Sequence, residues 1–189
     1  GSIAGEEAGE EAGEEAGEEA GNIGGMSGGD SGPNECDPPS LGDLIINEVM
    51  IDAEGEESRY EFVEMVNLAD RAVDLSGVKV VYNGSEKVTF ISGCMASKSI
   101  GALYASDEEW LWSSPPGGLE FNKSAFRFSN SGDFSFNLVD GTGEVVSEMS
   151  GEKSLIEQGV SINRNPDFEG ELIGLHQEIS SLPNSPTLC

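Results

Sequence analysis

The sequence predicts an all-β fold, an antiparallel β-sandwich, behind a disordered acidic segment. Three observations carry this. From Tyr60 to Tyr82 the chain reads YEFVEMVNLADRAVDLSGVKVVY: apolar alternation, a short polar connection, then a second apolar run. Turn signals recur about every 8–12 residues from Leu44 to Arg164 and set off about seven to nine short strands. Residues 1–40 hold eleven acids, no Lys, no Arg and no apolar pattern that a fold would bury.

The elements follow in chain order. Ala4 to Gly21 is the repeat Ala-Gly-Glu-Glu in four copies. Gly at every fourth position costs a helix about 1 kcal/mol each, and Glu at i and i+4 repel one another. Asn22 to Ser40 continues as a Gly, Ser and Pro linker. Residues 1–40 are therefore expected to be a tether with a root-mean-square reach of roughly 35 Å, and residues 41–189 the sandwich. Leu44 to Ile51 reads as the first strand, ended by the acidic loop Asp52 to Glu57. In Tyr60 to Leu68 the alternation puts Glu61, Val63, Met65 and Asn67 on one face, with Val63 and Met65 to the core and Glu64 outward. Val73 to Tyr82 follows as one strand. Asn83-Gly84 is a type I′ turn signal that returns Lys87 to Ile91 as a hairpin partner, and Ser99 to Ala105 is the next strand. Ser106-Asp107-Glu108-Glu109 reads as a capping box that starts one or two helical turns through Trp110-Leu111-Trp112, stopped by Pro115-Pro116. Phe126 to Ser129, Phe134 to Asp140, Val145 to Met149 and Val160 to Arg164 complete the strands. Asn165 to Cys189, with three prolines, is expected to lie over the sandwich as an irregular ordered tail.

Charge narrows the function. The net charge is −27, and the chain after residue 40 is itself at −16, with all nine basic residues. Such a surface repels phosphate backbones, so nucleic acid is not an expected partner. No run of 18 apolar residues is present, so no membrane span is expected. Gly1-Ser2 looks like a cloning remnant, which leaves room for a leader upstream.

Several of these residues also resemble a known family. Glu61-Phe62-Val63-Glu64-Met65-x-Asn67 followed by Val73-Asp74-Leu75-Ser76-Gly77 is similar to the signature of the lamin tail domain family. Ile46-Asn47-Glu48-Val49 is similar to the first strand of its bacterial members. Phe128-Ser129-Asn130-Ser131-Gly132-Asp133, then Phe136-Asn137-Leu138-Val139-Asp140 and Gly143, resembles a later block of the same family. Val78 departs from it, because the family usually has Trp after the Ser-Gly pair. Ser161-x-x-Arg164-x-Pro166-Asp167, His176 and Ser185-Pro186 resemble the C-terminal extension of secreted bacterial relatives, with Thr187 where those usually carry Gly. The resemblance implies an immunoglobulin-like β-sandwich from a bacterial exported protein.

Candidate sites are few. Asp52, Glu54, Glu56 and Glu57 offer hard oxygen ligands around Gly55, so Ca²⁺ is the one cofactor the residues suggest; a solvated acidic loop is the competing reading. Trp110 and Trp112, in a connection, are candidate binding anchors for a protein or glycan, unless a ring packs inward. Asn67, on the core side at a strand end, is expected to pin the Leu68–Ala72 connection through its amide, and Gly77 belongs to the family signature as a structural residue. His176 is the only His and there is no Gly-x-Ser-x-Gly elbow, so it reads as structural or solvated and no catalytic residue is assigned. Cys36, Cys94 and Cys189 lack metal-ligand spacing. One disulfide that includes Cys189 is expected, with Cys94 as its partner and Cys36 as the alternative. It would tie down the irregular tail, which implies an oxidising compartment.

The expectation is thus a monomeric, non-catalytic extracellular, periplasmic or cell-surface interaction module on an acidic tether. The alternative is a carbohydrate- or Ca²⁺-binding accessory module of an exported protein.

Overall fold

The computed structural model describes residues 36–55, 60–104, 110–112, 118–121, 126–168 and 170–179. These form an antiparallel sandwich of the immunoglobulin-like kind. One sheet has six strands in the order β13-β12-β1-β2-β7-β8, and the other five in the order β11-β10-β4-β5-β9. The larger sheet comprises β1 (Leu44–Met50), β2 (Phe62–Asn67), β7 (Ile100–Tyr104), β8 (Trp110–Trp112), β12 (Ile162–Asn165) and β13 (Leu172–Leu175). The smaller comprises β4 (Lys79–Tyr82), β5 (Ser85–Ser92), β9 (Gly118–Phe121), β10 (Phe134–Val139) and β11 (Val145–Gly151). A two-stranded ladder of β3 (Val73–Asp74) and β6 (Cys94–Met95) closes one end. The core lies between the sheets. Leu44, Ile46, Val49, Val63, Met65 and Leu103 meet Val80, Val88, Phe136 and Leu138 there, all essentially without solvent exposure.

Local chemistry explains the elements. Asn83 and Gly84 both have positive φ, +46° and +77°, as a type I′ turn requires, and they join β4 to β5. The expected single strand from Val73 to Tyr82 is instead two. Asp74 Oδ1 accepts from Ser76 N at 2.8 Å and from Ser76 Oγ at 2.6 Å, and Val78 N donates to Leu75 O at 2.9 Å. That turn carries the chain from the end ladder into the smaller sheet. Gly77 is required in it: φ is +78°, and an added Cβ would lie 3.0 Å from the Gly141 Cα. Gly77→Ala is expected to cost about 1–3 kcal/mol, visible as a lower denaturant midpoint at unchanged m-value.

Three further expectations are corrected. Trp110 to Trp112 is not helical but an edge strand, with Trp110 opposite Leu103 and Trp112 opposite Gly101; pairing to β7 overrides the local helix signal. The capping box itself, Ser106 to Glu109, lies outside the described residues. Phe126 to Ser129 joins no ladder among the described residues, and side chains take its backbone groups. Phe128 N donates to Glu61 Oε2 at 3.0 Å, Lys87 Nζ to Arg127 O at 2.8 Å, and Tyr82 Oη to Ser129 O at 2.6 Å. The rings of Phe126, Phe128, Phe136 and Tyr82 pack together tilted or edge-to-face, at 4.7–5.0 Å between neighbouring centroids. Up to Ile179 the tail after Asn165 contains β13 and a short helix, α1 (His176–Ile179), so it extends the larger sheet instead of lying over the sandwich as an irregular ordered tail; residues 180–189 lie outside the described residues.

The cysteine expectation is also corrected. The disulfide joins Cys36 to Cys94, with Cα atoms 6.0 Å apart, so Cys94 is not available to Cys189, which lies outside the described residues. Cys36 and Asp37 are thereby tied to the sandwich. Asp37 forms a parallel bridge with Val73, and Arg71 Nη2 binds Asp43 at 2.7 Å, with Asp37 3.5 Å from Arg71 Nε. The Ala-Gly-Glu-Glu repeat lies outside the described residues.

Candidate functional site

The outer face of the larger sheet carries a buried polar layer. It begins at a bulge. Leu44 and Ile46 face the core, and continued alternation would send Glu48 there too. The register shifts between Ile46 and Glu48, so Asn47 is the extra residue, Val49 returns to the core and Glu48 turns outward. Glu48 then stands directly across from Glu64 of β2 on one side and Asn163 of β12 on the other. Every one of Asn47, Glu48, Glu64, Ser161 and Asn163 has zero relative exposure. This corrects the outward reading of Glu64: it leaves the core face as expected, but the face it joins is covered.

Hydrogen bonds hold these groups. Asn47 Nδ2 donates to Glu64 Oε1 at 2.9 Å, and Asn47 Oδ1 accepts from Phe168 N at 3.1 Å. Ser161 Oγ donates to Glu48 Oε1. Asn163 Nδ2 donates to Asp167 Oδ1 at 3.0 Å. That orients the amide, so Asn163 Oδ1 is an acceptor and the 2.9 Å contact with His176 is a donation from Nδ1–H. His176 Nδ1 is also 3.7 Å from Glu48 Oε1. Its Nε2 is buried with no hydrogen-bond partner among the described residues. His176 is held from behind by its own N–H, which donates to Ser161 O at 2.9 Å. Tyr104, in contact with the small apolar cluster of Met50, Ala53 and Phe62, has its phenol pushed well above the usual tyrosine range. Burial is the main cause, and the carboxylates of Glu48 and Glu64 add to it.

Arg164 ties this face to the other sheet. Its Nε donates to Ile46 O at 2.6 Å, Nη1 to Gly170 O at 2.9 Å and Nη2 to Glu148 O at 2.6 Å. Burial lowers its guanidinium from the ordinary arginine value. One side chain thus joins the bulge of β1, the turn before β13 and the edge strand β11.

Asp52 is half-buried, its main-chain carbonyl accepts from Gly159 N at 2.7 Å, and Oδ1 has no partner among the described residues. Glu54 is exposed; Glu56 and Glu57 lie outside the described residues. Among the described residues no three His, Cys, Asp or Glu stand close enough to hold a metal ion. The side chains of Trp110 and Trp112 lie outside what is described. Asn67 is fully buried. Its Nδ2 reaches Arg71 O, Met95 O and Ala96 O at 2.9–3.0 Å, and Oδ1 accepts from Ala69 N at 2.9 Å. Sequence reasoning missed Asn47, Glu48, Glu64, Ser161 and Asn163. The signal for the first two was present, since Asn47-Glu48 interrupts the apolar run LIINEVM. Among the described residues no helix is long and apolar enough to cross a membrane.

A family model described as Lamin Tail Domain matches residues 37–152, more than half of the chain. The match takes in Glu48 and Glu64 and ends before Ser161, Asn163, Arg164 and His176, which complete the polar layer. No curated protein matches the chain.

Proposed function

The chain belongs to the lamin tail domain family, and from that premise we propose that it is a non-catalytic interaction module of an exported protein, held on an acidic tether. The observation that carries the reading is the sealing of the polar layer. Ser, His and acid are all present, but hydrolysis through them needs the hydroxyl on the imidazole, the imidazole on the acid and room for a substrate. Here Ser161 bonds the carboxylate of Glu48 directly, and His176 is 2% exposed. The layer positions the C-terminal segment against β1 and β12, which is a structural role.

The Cys36–Cys94 bridge supports export, because such bonds persist in oxidising compartments. The charge of −27 favours a basic protein surface as partner and disfavours phosphate backbones. Surface labelling of intact cells of the native host, with a thiol count on the recovered protein, tests the reading. Access to the label and one free thiol of three are expected. A protein found only inside the cell with three free thiols removes the export reading. Saturable binding in a Ca²⁺ titration or on a glycan array would replace the module by an accessory binding domain.

A further inference from the structure

We infer that the Cys36–Cys94 bridge is a mechanical clamp, which routes tension on the N-terminal segment past β1 and onto the β3–β6 ladder. The inference rests on the tether reading above. Without the bridge, a pull transmitted through residues 1–35 would reach two main-chain bonds first. Asp37 N donates to Ala72 O at 3.4 Å, and Asp74 N donates to Asp37 O at 2.7 Å. Next in line is β1, which lies between β12 and β2. Its extraction would cut the six-stranded sheet in two and expose the buried carboxylates of Glu48 and Glu64.

The disulfide removes β1 from that path. Residues 36 to 94 become a closed loop, and tension crosses from Cys36 directly to Cys94. Cys94 is anchored on both sides along the chain. Gly93 O accepts from Leu75 N at 2.8 Å, and Met95 O and Ala96 O both accept from Asn67 Nδ2. The neighbouring Met95 is fully buried. β6 pairs with β3 and runs on in the chain to β7 of the larger sheet, so tension leaving Cys94 toward the C-terminus loads the β3–β6 ladder and then β7.

Single-molecule pulling tests this in two geometries, from the N-terminus to the C-terminus and from a handle at the exposed Gly84 turn to the C-terminus. The second geometry leaves the bridge unloaded. In the first, full extension of the oxidised protein is expected to fall short of the reduced protein by roughly 200 Å, the length of the closed loop. Reduction should also lower the N-terminal rupture force about twofold, since forced unfolding follows the unfolding barrier along the pulled path. In the second geometry the rupture force should not change on reduction. An equal fall in both geometries would make the bridge a general stabiliser and overturn the inference, as would no fall in either. Reductant added to already folded protein gives the same comparison if the Cys36→Ser, Cys94→Ser double variant does not fold. The pulling result does not depend on where the protein resides, so it can fail while the export reading stands, and the reverse.

Discussion

Met65→Asp is expected to unfold the domain. Met65 has zero exposure and sits in β2 with Ile46 and Gly101 as its cross-strand partners, inside the main core. An aspartate there would have to be either ionised among Val49, Val63 and Phe136 or neutral with its polar atoms unbonded. Either state costs several kcal/mol, and the lost methionine packing adds about 2–5 kcal/mol. Domains of this size have only about 5–15 kcal/mol in total. Near-UV circular dichroism should lose its fine structure. A variant that keeps the native spectrum and melts cooperatively near the parent would mean that the core face of β2 is misassigned. The neighbouring Glu64 is a control of a different kind. Alternation alone makes Glu64→Gln nearly neutral; burial against Asn47 and opposite Glu48 means that it will be felt.

Asn67→Ala is expected to cost about 3–5 kcal/mol, far above the usual effect of a polar-to-alanine change. One amide here serves four main-chain groups from two loops: Ala69 N, Arg71 O, Met95 O and Ala96 O. Alanine leaves all four without that partner, and the site is partly or wholly buried, so water replaces few of the bonds. Asn67→Asp should be no better. A carboxylate accepts from Ala69 N but cannot donate to the three carbonyls, and it sets negative charge against their oxygens. Urea denaturation of both variants reads the effect. A loss below about 1 kcal/mol for alanine would show that the loops hold themselves. Met95 and Ala96 directly follow Cys94, so the substitution also tests how firmly the disulfide is seated.

The particular residues show why some features were legible and others not. Val63 and Met65 were readable because alternation has a period of two and a strand has two faces. Asn83-Gly84 was readable because a type I′ turn demands positive φ at both positions. Asn67 was readable as a buried amide at a strand end, although its partners Met95 and Ala96, 28 and 29 residues away, were not. Trp110 to Trp112 was misread because Ser106 to Glu109 is a strong local helix start, and local signals carry no information about a β7 edge waiting to be paired. Cys36 was misread for a related reason. It lies beside acidic low-complexity sequence, while its bond depends on Asp37 bridging to Val73 and on Arg71 drawing in Asp37 and Asp43.

By itself the sequence determined the all-β class, the strand of Val63 and Met65, the Asn83-Gly84 turn, the family, and the acidity that makes phosphate backbones poor partners. These rest on near-neighbour patterns, on backbone conformations open to few residues and on a sum over charges. Only the tertiary structure decided that Glu64 is buried, that Cys36 pairs with Cys94, and that Asn47, Glu48, Ser161, Asn163 and His176 form one layer. Each of these depends on register. A single extra residue at Asn47 reverses which way Glu48 points, and Ser161 reaches Glu48 across 113 residues of chain. A one-residue shift in pairing moves every later side chain to the opposite face, and no local pattern in the sequence specifies where such a shift falls.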